Sequence, residues 1–83
     1  MKTDRTLASL ETGDFAQVQT LHVSGAVRRR LQDIGLTENT PVQCVQKSIS
    51  GDPAAYLIRG AVIALRKQDA EKIAIIPQKK PLS

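Results

Sequence analysis

Residues 24–36 read SGAVRRRLQDIGL, and they constrain the chain more than any other stretch because they specify one short helix with its start, buried face and stop. Ser24 stands where an N-cap hydroxyl would accept a bond from an unpaired first-turn amide. Val27, Leu31 and Ile34 recur at i, i+4 and i+7, so they form one stripe that must be buried against something else. Gly35 supplies the left-handed residue that ends the helix, and Leu36 then folds back onto Leu31 in a Schellman-type ending. Arg28, Arg29 and Arg30 ride on this small element, so their charges are positioned rather than floppy. The remainder of the chain reads as strands.

Length sets the scale of the core. Eighty-three residues suffice for one domain, and a chain of that size buries only about 60–65% of the surface its unfolded form exposes. That leaves little room for an enclosed active site. Phe15 and Tyr56 are the only aromatic residues, so the core must be built from Val, Ile, Leu and Ala. A single cysteine, Cys44, forms no internal disulfide, which points to a reducing compartment or at least to a fold that needs no staple, and it reads as a buried structural thiol. Met1 to Leu10 lacks the continuous apolar run of a signal peptide, and no stretch reaches the length of a membrane span. The expectation is a soluble cytoplasmic protein.

Along the chain, Thr6 to Leu10 makes one helical turn with Leu7 and Leu10 on a common face, ended by Thr12-Gly13-Asp14. Phe15 to Val23 is a strand whose buried set shifts from Ala16 and Val18 to Leu21 and Val23, which calls for a bulge near Thr20. Val42 to Lys47 is a second strand and Ser48 to Pro53 a loop. Ala55 to Ile58 and Val62 to Leu65 form a hairpin about Gly60, with Arg66 turned away from Leu65. A helical turn at Lys67 to Glu71 precedes a last strand, Ile73 to Ile76, stopped by Pro77. About five short strands and one helix predict a small β barrel, because closing the sheet removes exposed edges. Residues 1–77 read as the domain and 78–83 as a disordered tail carrying Lys79 and Lys80.

The chemistry-bearing residues are sparse. His22 is the only histidine and reads as a surface residue; no Ser, His and acid arrangement stands out, and Gly35, Gly51 and Gly60 are each explained by a turn. Metal cages draw on clustered Cys and His, whereas Cys44 and His22 stand apart, so neither tight metal binding nor a cofactor is expected. A net charge of +4 with pI near 9.6 is compatible with nucleic acid, an anionic membrane or an acidic protein. Single-strand readers stack bases on exposed aromatics; with Phe15 in the core, Tyr56 is the sole candidate, which makes nucleic acid a poor partner. The arginines have a plain reading as a solvated face, with Arg29 paired to Asp33 at i+4. Against it, Asp33 in the last helical turn opposes the helix dipole, and broken local rules point to tertiary or partner contacts.

Taken in order, Leu7 and Leu10 before Gly13, Arg28 with Leu31 and Ile34-Gly35-Leu36, then Gly51-Asp52-Pro53, Arg59-Gly60, Ile63-Ala64-Leu65-Arg66 and Ala70 before Ile73 resemble the FeoA family. The resemblance runs from about Thr6 to Ile76. It implies an SH3-like barrel with one helix after the first strand, and a cytoplasmic, non-enzymatic accessory role in bacterial ferrous iron uptake. The partner it implies is a FeoB-type membrane transporter carrying a GTP-binding domain, which would hold the protein at the inner membrane. On this reading Arg28, Arg29, Arg30 and Arg66 supply charge at the contact and Gly51, Asp52 and Pro53 supply shape, with self-association no more than weak. One departure is visible: the family's usual Pro-Gly after the helix is Glu38-Asn39 here, and Asn tolerates the left-handed conformation. The same barrel resembles the C-terminal module of metal-dependent repressors. The alternative function is a free-standing SH3-like interaction or nucleic-acid-binding module.

Overall fold

The helix forms as its spacing dictates, with one change at its start. In a computed structural model of the chain, which describes residues 5–79, helix α1 spans Gly25–Asp33. Leu31 is fully buried and Val27 and Ile34 pack beside it, partly buried. Gly35 adopts φ +94°; its N–H donates to the Gln32 carbonyl at 3.0 Å and the Leu36 N–H to the Leu31 carbonyl at 2.9 Å. Those two bonds are the pair that defines a Schellman ending. Ser24 has the extended backbone of an N-cap, yet its hydroxyl makes no capping bond. Gly25 follows at φ +66°, so the chain enters the first turn through a left-handed residue and the expected cap bond is not made.

Five antiparallel strands carry the rest: β1 (Phe15–Leu21), β2 (Pro41–Lys47), β3 (Ala54–Ile58), β4 (Ala61–Leu65) and β5 (Ile73–Gln78), in the sheet order β4-β3-β2-β1-β5. A 3-10 turn at Leu7–Ser9 precedes them, and a short helix, α2 (Lys67–Ala70), joins β4 to β5. The expected shift in β1 is real: its register against β5 slips between Val18 and Thr20, leaving Gln19 as the extra residue. Ala16 and Val18 are buried before it and Leu21 and Val23 after it. The β3–β4 turn places both Arg59 (φ +49°) and Gly60 (φ +84°) in the left-handed region, as a type I′ hairpin requires.

One core gathers the inward residues of all five strands with Leu7, Leu10, Leu31, Leu36 and Ala70. Tyr56 sits within it and its hydroxyl donates to the Leu7 carbonyl at 3.1 Å, tying the 3-10 turn to the sheet. Burial pushes the Tyr56 phenol up to about 12. Phe15 is not a core residue, because it occupies the face of β1 opposite Ala16 and Val18 and is only half-buried.

Two expectations about the sheet's ends are corrected. β4 and β5 do not pair with each other, so among the described residues the sheet keeps two ends. Pro77 does not stop β5, which continues through it to Gln78; a proline is tolerated in an end strand where its nitrogen faces away from the ladder. Gln78, assigned to the tail from sequence, therefore belongs to the sheet, and the tail expectation for residues 80–83 lies outside the described residues.

Candidate functional site

The three arginines stand in different surroundings, Arg28 against the sheet and the other two at the surface. Arg28 is half-buried and its Nη1 donates to the Leu21 carbonyl at 3.1 Å, where it fastens α1 to the end of β1. Arg29 and Arg30 are exposed, and the i+4 pair of Arg29 with Asp33 does not form among the described residues. Arg28 also lines a polar cleft of about 350 Å³ with Gln32, Glu38 and Asn39. Asn39 there adopts φ +71° and its N–H donates to the Val18 carbonyl at 2.7 Å. The left-handed turn thus survives without Pro-Gly, and the added acid faces the arginine side of the helix.

Asp52 and Arg66, 14 positions apart in sequence, meet at the far end of the β3–β4 hairpin. The Asp52 Oδ1 accepts the Lys67 N–H at 2.9 Å and stands 3.7 Å from Arg66 Nε. The carboxylate therefore holds the start of α2 as well as pairing with the arginine. Gly51 at φ +85° makes the turn that presents it, and Pro53 follows through a cis peptide bond. Ile49, at the tip of the same loop, is fully exposed. Arg66 of the expected charge set thus meets Asp52 of the expected shape set, while among the described residues no hydrogen bond or ion pair joins this loop to Arg28, Arg29 or Arg30.

Sequence reasoning did not find Arg59. Its Nε donates to the Gly35 carbonyl at 2.9 Å, across 24 positions of sequence, and its side chain lies against the Gly35 α-carbon. The same carbonyl accepts the hydroxyl of the fully buried Thr40 at 3.2 Å. The helix ending is thus locked to the hairpin turn. The only local signal is an arginine directly before a hairpin glycine, and nothing in it points to residue 35.

Tyr56 is unavailable for stacking because it is buried, and Phe15 instead lines a shallow apolar groove of about 160 Å³ with Pro41 and Leu57. His22 is exposed, and Cys44 is buried, which raises its thiol pKa. Among the described residues no three His, Cys, Asp or Glu side chains are grouped to hold a metal ion. No helix is long and apolar enough to cross a membrane.

Five antiparallel strands about one core, with a single helix after the first strand, define a small SH3-like domain. Residues 5–77 match the FeoA domain family, and the chain belongs to that family. It is similar to the FeoA protein of Chlorobium tepidum, with 32% identity and a TM-score of 0.83 over 88% of this chain and 70% of that one. It is also similar to Stenotrophomonas maltophilia FeoA, at 29% identity and a TM-score of 0.72, over 86% of this chain and 88% of that one. That protein is described as complexed with zinc and as a prokaryotic SH3 domain protein. A third relative, an Fe(2+) transport protein A/Fe(2+) transporter FeoB fusion protein of Porphyromonas gingivalis, is 32% identical over 69 residues, 83% of this chain but 8% of that protein. A manganese-dependent transcriptional repressor shares the fold alone, at 17% identity and a TM-score of 0.81 over 94% of this chain and 38% of that one.

Proposed function

We propose that this FeoA-family chain is a non-enzymatic adaptor of ferrous iron uptake that docks on the cytoplasmic part of a FeoB-type, GTP-binding membrane transporter. The fusion relative carries the reading: in it a segment similar to this chain is covalently joined to an iron transporter. Covalent joining holds two modules at an effective concentration up to the millimolar range and makes their contact intramolecular. Separate chains would need a recognition surface to achieve the same association. The exposed Arg29 and Arg30 on a helix locked at both ends offer such a surface, as does the Asp52 loop with Arg66. Arg28 acts here by positioning the helix, since its guanidinium is engaged at Leu21. Burial of Tyr56 leaves half-buried Phe15 as the one aromatic side chain near the surface, a thin stacking platform that argues against the nucleic-acid alternative.

Affinity capture from membranes of the source cell tests the proposal. The wild-type bait recovers a polytopic GTP-binding protein, and a bait with Arg29→Glu and Arg30→Glu recovers less of it while keeping the wild-type circular dichroism spectrum. Failure of a folded wild-type bait to retain any such protein refutes the adaptor reading.

A further inference from the structure

End strands present unpaired backbone groups, and soluble folds blunt them with charge, proline, bulges or covering chain. The two ends of this sheet are treated differently. Along β5, the Arg5 carbonyl accepts the Ile75 N–H at 2.9 Å and Thr6 bridges to Ala74. Alternation then puts the nitrogen of Pro77 on that same outer side, where it has no hydrogen to donate. β5 is closed to a further strand. β4 has none of these devices: it reads Ala-Val-Ile-Ala-Leu, runs without a bulge against β3, and among the described residues has no other strand partner.

The exposed groups can be named. A two-residue hairpin turn closes on a hydrogen-bonded pair, here Ile58 with Ala61, and bonded pairs alternate from there. Ala61, Ile63 and Leu65 therefore bond to β3, while the N–H and C=O groups of Val62 and Ala64 project from the free edge. The Val62 side chain is 62% exposed. It terminates a cross-strand row, Gln78, Phe15, Gln43, Leu57 and Val62, in which no residue bears a formal charge. An added strand would extend that uncharged face.

We infer that the free edge of β4 takes up an extended segment of another protein, apolar against Val62 and Ala64 and acidic at its ends. The assignment of that segment to the transporter's cytoplasmic part rests on the proposed function. Charge selects the occupant. Exposed Arg59 flanks one end of the edge, and exposed Arg66 and Lys67 flank the other, with Asp52 offsetting part of the Arg66 charge. In a second copy, the antiparallel register that bonds both Val62 and Ala64 centres on Ile63. It would bring Arg66 and Lys67 of each copy alongside Gly60 and Arg59 of the other. Like charges so placed repel, and head-to-tail pairing onto β5 is blocked by its covered edge. An acid-flanked strand meets both basic ends, draws affinity from backbone hydrogen bonds and gains rate and register from the charges.

Amide hydrogen exchange on the free protein is the first measurement: the Val62 and Ala64 amides exchange fast while that of Ile63 is protected. Protection of Val62 and Ala64 in the free monomer overturns the inference. Next, the purified cytoplasmic domain of the transporter is titrated against wild type, Ala64→Pro and Val62→Glu. Proline at 64 removes an outward N–H without touching a β3 bond, and glutamate at 62 repels an acidic strand. Each variant binds about tenfold more weakly or worse, melts near wild type, and loses the protection that Val62 and Ala64 gain in the wild-type complex. Wild-type affinity in both variants overturns the edge inference and leaves the docking proposal standing. No binding by wild type overturns the docking proposal and the edge's assignment to that partner together. A concentration-dependent dimer abolished by Ala64→Pro replaces the foreign strand with a second copy.

Discussion

Adding one methyl group at Gly35 tests the lock between helix and hairpin. Gly35 holds φ +94°, and a Cβ there would lie 2.5 Å from Arg59 Cδ and 3.0 Å from its Nε. The arginine is exposed and flexible, so it gives way, but in doing so it releases its 2.9 Å bond to the Gly35 carbonyl. The left-handed backbone costs an L-residue about 1–2 kcal/mol, and the lost hydrogen bond about 0.5–1.5 kcal/mol. Gly35→Ala should therefore destabilise by about 2–3 kcal/mol, a fall in melting temperature of about 10–20 °C for a domain this size. Chemical denaturation followed by circular dichroism measures it, in wild type and in an Arg59→Ala background. With Arg59 truncated, only the backbone cost remains, about 1–2 kcal/mol, so the two changes are non-additive. Equal cost in both backgrounds would show that the arginine does not pack on this glycine. A cost below about 0.5 kcal/mol in wild type would show that residue 35 is not left-handed.

Leu31→Ala removes a fully buried side chain from the α1 stripe and should cost about 2–5 kcal/mol by thermal melt, abolishing partner capture through loss of fold. Tyr56 is the one tyrosine, and its folded pKa of about 12 lies above its ordinary value of 10.0. The neutral phenol is thus favoured by folding. Its contribution is complete below the unfolded pKa and is lost as pH rises through the window from about 10 to 12, so alkaline unfolding midpoints should fall there and tyrosinate absorbance should appear late. Cys44 should resist thiol reagents until the protein unfolds, because it is buried with a raised pKa; rapid labelling of the native state would contradict its burial. Anaerobic calorimetry with ferrous iron should show no stoichiometric micromolar binding, and such binding would move the chain toward metal carriage.

The legible parts of this fold are those encoded by short-range rhythm. Val27, Leu31 and Ile34 mark the helix face, Gly35-Leu36 its ending and Gly60 the hairpin, because each depends on residues within one turn of one another. The change of buried parity in β1 was equally local, and it located the bulge. Cross-chain contacts were not legible: Arg59 on the Gly35 carbonyl, Asp52 on the Lys67 amide and Tyr56 on the Leu7 carbonyl all join distant residues. For the same reason Phe15 stands outside the core expected for it while Tyr56, the conditional stacking candidate, lies within it, since aromatic character alone does not say which face of a strand is inward. Pro77 shows the limit of a donor rule applied without topology; a missing N–H matters only where a partner strand would use it. The arginine triplet was legible as a cluster, but the division of labour between Arg28 and its two neighbours depends on where β1 ends.

The extra residue in β1 has a bearing on how this fold admits changes of length. Before Gln19 the buried positions carry even numbers, and after it they carry odd ones, so a single residue acts as a parity bit for the strand. Deleting it would leave Ala16, Val18, Leu21 and Val23 in one unbroken alternation against β5, so the buried set would stay inward and only the bend that the bulge puts into β1 would be lost. Loops such as residues 48–53 impose no such count. Changes of length should therefore gather in the loops and, within β1, at this one place, and an alignment that closes a gap at Gln19 would pair core residues with solvent-facing ones for the remainder of the strand.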